Sequence, residues 1–147
     1  MAELKASRKG KMHTEDEIFD MVFQIISGFL DMRKAGVFHE DIKPQNILKK
    51  NNLLKFTDFG ISQLSDNYET SIVRKGTLSY MPPEKLKSSS YIPTSKSEVF
   101  SLGVTLYEII FASHPYLAKR VSDYRVYLKE ISNAKLKSVD ELKSNFP

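Results

Sequence analysis

His39-Glu40-Asp41-Ile42-Lys43-Pro44-Gln45-Asn46 is the stretch on which the reading of this chain turns. It is followed in order by Asp58-Phe59-Gly60, Gly76-Thr77 and Tyr80-Met81-Pro82-Pro83-Glu84. Each piece alone says little. A lone Asp-Phe-Gly is usually a turn, because Asp bonds its own backbone and Gly accepts unusual dihedrals. The ordered set carries the signal, together with what lies between its first two members. There, residues 47–49 and Leu53–Phe56 flank Asn51-Asn52, and asparagine tolerates positive φ, so a tight β-hairpin is predicted. A short extended piece at Val37–Phe38 leads into the polar stretch.

Working outward, a helix is predicted upstream over residues 15–35. Thr14 and Glu17 have the spacing of a capping box, in which hydroxyl and carboxylate each satisfy an orphan backbone N–H. Ile18, Val22, Ile25, Ile26, Phe29 and Arg33 recur at helical spacing, and Gly36 is a natural terminator. Downstream, residues 61–80 have no durable periodicity and read as a long functional loop. Ser95 and Glu98 read as a second capping box opening a helix over 96–111. That helix is apolar on most of its circumference, which predicts central burial. An amphipathic helix over 123–132 follows, and Ser138 with Glu141 has the spacing to cap a fourth. The predicted core is mainly α.

Composition narrows the function classes. The 147 residues are 41% hydrophobic and 27% charged, which suits a globular chain and excludes wholesale disorder. The nearly apolar run 99–112 carries Glu108 and is shorter than the roughly 20 residues a membrane helix needs, so no membrane partner is expected. The N-terminus lacks the apolar stretch of a secretory signal. With no cysteine, disulfides and thiol catalysis are excluded, and a cytoplasmic setting, or a nuclear one, is expected. The net charge of +4 sits diffusely at the two ends, which argues against nucleic acid as a partner. Oligomeric state is left open.

Taken together, the motifs resemble those of the eukaryotic protein kinase family, serine/threonine type. That family's catalytic loop reads H-R-D-x-x-x-x-N and is followed by D-F-G and A-P-E. The resemblance covers nearly the whole chain. It implies a fold that is mainly α with a short β-hairpin, namely the family's C-terminal lobe. It also implies ATP and Mg2+ as cofactors and a protein as substrate. By the same resemblance, Asp41 is the base that orients the attacking hydroxyl, and Lys43 offsets charge on the transferred γ-phosphate. Asn46 and Asp58 are magnesium ligands, and Leu48 lies beneath the adenine. His39 and Phe59 pack together, next to Gly60. Thr77 either bonds Asp41 and Lys43 or is an ordinary loop hydroxyl, and Glu84 anchors the loop. Lys43, two residues beyond Asp41, resembles the serine/threonine branch.

Departures from the pattern carry their own expectations. Glu40 stands where most members have Arg, and a carboxylate repels a loop phosphate. Phosphorylation of Ser65, Tyr68, Thr70 or Ser71 is therefore not the expected switch; Glu40 is expected to pair with Arg74 or Lys75. Glu98 stands where the family has Asp. It either bonds the catalytic-loop backbone, with longer or rearranged bonds, or completes the Ser95 capping box. Pro82 replaces Ala, and Gln45 replaces a frequent Glu. Nothing before residue 37 resembles the Gly-rich loop or the strand lysine of the N-terminal lobe. Residues 1–147 are thus expected to form a partial kinase domain, lacking the N-terminal lobe and the last helices and binding ATP weakly by itself. The alternative is a non-catalytic, pseudokinase-like binding or regulatory module.

Overall fold

The computed structural model describes residues 2–3 (backbone only), 13–64, 75–88, 90–116 and 122–134. In chain order they form β1 (Ala2–Glu3), α1 (Glu15–Lys34), β2 (Val37–Phe38), β3 (Ile47–Lys50), β4 (Leu53–Phe56), β5 (Gln63–Leu64), α2 (Pro83–Lys87), α3 (Ser95–Phe111) and α4 (Tyr124–Asn133). One antiparallel sheet has the order β1-β3-β4; β2 and β5 form a separate two-stranded ribbon. The predicted fourth helix and the candidate modification sites at 65–71 lie outside the described residues, as does Arg74.

The first helix forms as its sequence dictates. Glu17 N donates to Thr14 Oγ1 at 3.3 Å, Thr14 N donates to Glu17 Oε2 at 3.1 Å, and Gly36 leaves the helix at φ 71°. The buried stripe is Ile18, Met21, Ile25 and Phe29; Ile26, expected inside, is 38% exposed because it falls one residue off that stripe. The stripe meets Ile42, Ile47, Leu102 and Ile109 in the main core. Gln24 ties α1 to the hairpin, accepting from Leu54 N at 2.9 Å and donating to Asn52 O at 2.9 Å. Asn51, at φ 56°, makes the hairpin's two-residue turn, and Lys50 pairs with Leu53 across it. A second cluster of Met81, Leu86 and Tyr127 joins α2 to α4.

The fold differs from the sequence reading in three places. The stretch read as an unbroken loop contains β5, which pairs Gln63 with Phe38, and a 3₁₀ turn at Leu78–Tyr80. The box opening α3 is Thr94 with Ser97, one residue earlier than Ser95 with Glu98: Ser97 N donates to Thr94 Oγ1 at 3.2 Å and Thr94 N to Ser97 Oγ at 3.0 Å. Central burial of α3 is also one-sided. Val99 is 54% exposed, while the buried face carries Ser97, Glu98, Ser101 and Thr105 among its apolar residues. Those polar groups are buried with partners: Ser97 closes the cap with Thr94, Ser101 Oγ donates to Tyr80 O at 2.8 Å, and Thr105 Oγ1 lies 2.8 Å from Ser101 O and 3.2 Å from Ile42 O.

The cap assignment has a direct check. Thr94→Ala should cost about 1 kcal/mol in urea unfolding, the usual loss for an N-cap. Ser95→Ala should stay within about 0.5 kcal/mol of wild type. The opposite ranking would restore the frame one residue later.

No helix among the described residues is long and apolar enough to cross a membrane.

Candidate active site

The polar stretch between β2 and β3 is held by its own backbone. His39 N and Glu40 N donate to the two carboxylate oxygens of Glu98, at 2.8 and 2.9 Å, so α3 grips the loop at its entrance. Glu98 therefore bonds the loop backbone at ordinary lengths and takes no part in the helix cap. Burial pushes its carboxyl above the usual range, against the pull of those two N–H groups. The His39 ring donates from Nε2 to Thr57 O (3.0 Å) and accepts at Nδ1 from Asp41 N (3.3 Å), which fits one neutral tautomer. It packs 4.9 Å from Phe59 and 5.8 Å from Phe56, centroid to centroid. His39 is thus a strut, and the expected His39–Phe59 contact is present.

Three residues converge on Asp41. Lys43 Nζ donates to Asp41 Oδ2 and to Thr77 Oγ1, each at 2.7 Å. Thr77 N donates to Asp41 Oδ1 at 2.8 Å. Asn46 Nδ2 donates to Asp41 O at 2.8 Å and to its Oδ2 at 3.1 Å. Burial pushes the Asp41 carboxyl up, but the bonds from Lys43 and Thr77 outweigh it and hold Asp41 below the usual carboxylate range. Of the two readings of Thr77, the geometry selects the one bonded to Asp41 and Lys43. Gly76 is required beside it: at φ 103°, a Cβ would sit 2.7 Å from Glu40 O.

Asp58 stands apart from that network. Its backbone is placed by Thr57, whose N–H donates to Asn46 O at 2.9 Å and whose carbonyl receives His39. The Asp58 side chain is exposed, in a left-handed backbone at φ 64°. Gly60 leaves it room, since a Cβ there would lie 3.3 Å from Asp58 Oδ1. Leu48 is half-buried on β3, and Glu84 is exposed in the first turn of α2. No cluster of three His, Asp or Glu side chains suited to a metal occurs among the described residues.

Glu40 does not pair with Lys75, which is exposed. Its partner is Lys85 of α2: Nζ lies 3.0 Å from Glu40 Oε2, with the two side chains 4% and 2% exposed. Lys85 also lies 5.1 Å from the Tyr91 ring centroid. Nothing local in Pro82-Pro83-Glu84-Lys85-Leu86-Lys87 tells which lysine turns inward. The usable signal was indirect, namely that an acid at position 40 calls for a buried cation.

Sequence comparison decides the family. The profile of the protein kinase domain matches residues 2–146. The chain belongs to the protein kinase domain family. Among its relatives is the serine/threonine-protein kinase Nek11 of Mus musculus, 38% identical over 108 residues, which is 73% of this chain and 17% of that protein. Another is the serine/threonine-protein kinase Nek9 of Xenopus laevis, 38% identical over 105 residues, 70% of this chain and 11% of that protein. The serine/threonine-protein kinase atg1 of Dictyostelium discoideum is 30% identical over 145 residues, 96% of this chain and 21% of that protein. The chain therefore spans only a minor part of the length of these kinases. The described residues are helix-rich with two small sheets, and these relatives are serine/threonine-protein kinases.

Proposed function

We propose that this chain forms part of the C-terminal lobe of a serine/threonine protein kinase domain, and that it contributes the groups that move the γ-phosphate of ATP to a protein hydroxyl. The observation that supports this most is the convergence of Lys43, Asn46 and Thr77 on Asp41. In phosphoryl transfer the protein's contribution is mainly positioning and charge stabilisation. Asp41, fixed by three donors, orients the attacking hydroxyl and accepts its proton at the carboxylate. Held below the usual carboxylate range, Asp41 is ionised at neutral pH and able to accept that proton. Lys43 uses two of its three N–H groups on Asp41 and Thr77, which leaves one for a phosphate oxygen.

The donor set fits magnesium. Asn46 spends its nitrogen on Asp41, leaving the amide oxygen for a hard cation, and Asp58 offers an exposed carboxylate. Magnesium is commonly held by one or two carboxylates, with water and phosphates completing its shell. Bound there, it would neutralise charge on the phosphates. Leu48, half-buried on β3, is the apolar surface offered to adenine. A cytoplasmic or nuclear setting belongs to the same proposal and rests on the cysteine-free sequence.

Manganese(II) with ATP, titrated at millimolar concentration into the 147-residue chain, tests this reading by paramagnetic broadening of backbone amides. Broadening should centre on Asn46 and Asp58, and Asp58→Asn should weaken it on the order of tenfold. Broadening no different from that by manganese alone, or a pattern untouched by Asp58→Asn, would refute the assignment.

A further inference from the structure

The Glu40–Lys85 pair is more deeply buried than the Lys43–Asp41 pair, and the transfer chemistry makes no use of it. It joins the same two chain segments that the site joins. Glu40 is the neighbour of Asp41; Lys85 lies a short helix beyond Thr77. Between them, Gly76 packs on the Glu40 carbonyl and Thr77 bonds Asp41 and Lys43. The chain thus closes a ring in which one side is a single charge-assisted contact.

Glu40 has few other sources of neutralisation. Its Oε1 is buried with no hydrogen-bond partner among the described residues, and Glu98, whose carboxylate holds the Glu40 N–H, brings a second negative charge nearby. Tyr91 stays protonated, its phenol pushed up to about 12 by burial, and its ring faces Lys85. Among the described residues, Lys85 is therefore the cation that pairs with the buried Glu40 carboxylate. A buried carboxylate left unpaired is strongly unfavourable, so α2 is drawn to the catalytic loop wherever Glu40 is buried.

We propose that Lys85 is a positioning residue: through Glu40 it tethers the 76–85 segment to the catalytic loop and so holds Thr77 on Asp41. A cation inside the chain fixes this register, with no phosphate required at position 40. The inference rests on the kinase reading for its significance, although its test involves neither nucleotide nor substrate.

The test uses the full 147-residue chain and two double variants. Glu40→Gln with Lys85→Met removes both charges and leaves no unpaired ion, so the chain should fold. Exchange of the Thr77 amide should become at least tenfold faster, the factor that corresponds to about 1.4 kcal/mol of lost tether. Amides in α1 should exchange as in wild type. Glu40→Lys with Lys85→Glu inverts the pair and should restore wild-type Thr77 protection. Wild-type Thr77 exchange in the neutral variant would overturn the proposal, as would an inverted pair that fails to restore it. Either failure would leave the manganese–ATP result standing, and a failed manganese–ATP test would leave this one intact.

Discussion

Glu98→Ala should destabilise the chain by about 2–5 kcal/mol at neutral pH, measured by urea unfolding. The substitution strands two buried donors, His39 N–H and Glu40 N–H, which now bond Glu98 at 2.8 and 2.9 Å. An orphaned buried donor costs about 1–3 kcal/mol, and no other carboxylate on α3 faces them. Glu40 also adopts a left-handed backbone at φ 63°, a conformation that persists only when its surroundings impose it. Losing Glu98 therefore removes the hydrogen bonds that impose this conformation, at the entrance to the polar stretch between β2 and β3. Glu98→Gln should recover part of the loss, since its amide oxygen can accept one N–H while its NH2 group opposes the other. The titration of Glu98 adds a sign. Burial raises its carboxyl in the folded state above its unfolded value, so the folded chain binds more protons between the two. The stability gap between wild type and Glu98→Ala should accordingly narrow as pH rises through that interval. A Glu98→Ala chain within about 0.5 kcal/mol of wild type would show that the clamp contributes nothing beyond an ordinary surface contact.

How much could be read in advance followed the range of each interaction. The cap at Thr14 and Glu17 is local, its partners three residues apart, and it formed as its spacing predicts. At the start of α3 the same rule points to Ser95 with Glu98, whereas the structure closes the box one residue earlier, on Thr94 with Ser97. The choice is tertiary, because the loop's N–H groups claim Glu98 and leave Ser97 to close the box. The strands β1 and β5 have two residues each, too short for alternation to register. Within the site, Asp41, Lys43 and Asn46 sit in one short stretch, and it was the family resemblance that singled them out. The same resemblance brought in Thr77, which bonds Asp41 across 36 residues. Lys85 escaped altogether: a lysine beside exposed Glu84 and Lys87 reads as surface, and only the fold turns it inward.

The second large effect is expected at Gly76, where Ala should do far more harm than its size suggests. The residue has φ 103°, a region that side chains on an L-residue rarely allow, and its Cβ would stand 2.7 Å from Glu40 O. That oxygen cannot swing aside cheaply. It shares its peptide with the Asp41 N–H, which donates to His39 Nδ1 at 3.3 Å, and the rest of Glu40 is held by Glu98 at its N–H and by Lys85 at its carboxylate. The 76–77 backbone must move instead, and Thr77 N then leaves Asp41 Oδ1. Backbone strain of about 1–3 kcal/mol and a lost bond to a charged acceptor of about 1.5–3 kcal/mol set the scale. The chain can relieve both by freeing this segment alone, so the loss in global unfolding should be smaller than their sum. The local signature should be the larger one, with Thr77 amide exchange at least a hundredfold faster, equivalent to about 2.7 kcal/mol. Gly103 supplies the opposing control. It lies within α3 with nothing within 4 Å of a built Cβ, so Gly103→Ala should stabilise the chain by about 0.5–1 kcal/mol through helix propensity. The same chemical change should therefore have opposite signs at the two sites. Equal effects at both, or wild-type Thr77 protection in Gly76→Ala, would mean that the close approach of Gly76 to Glu40 does not hold Thr77 in place.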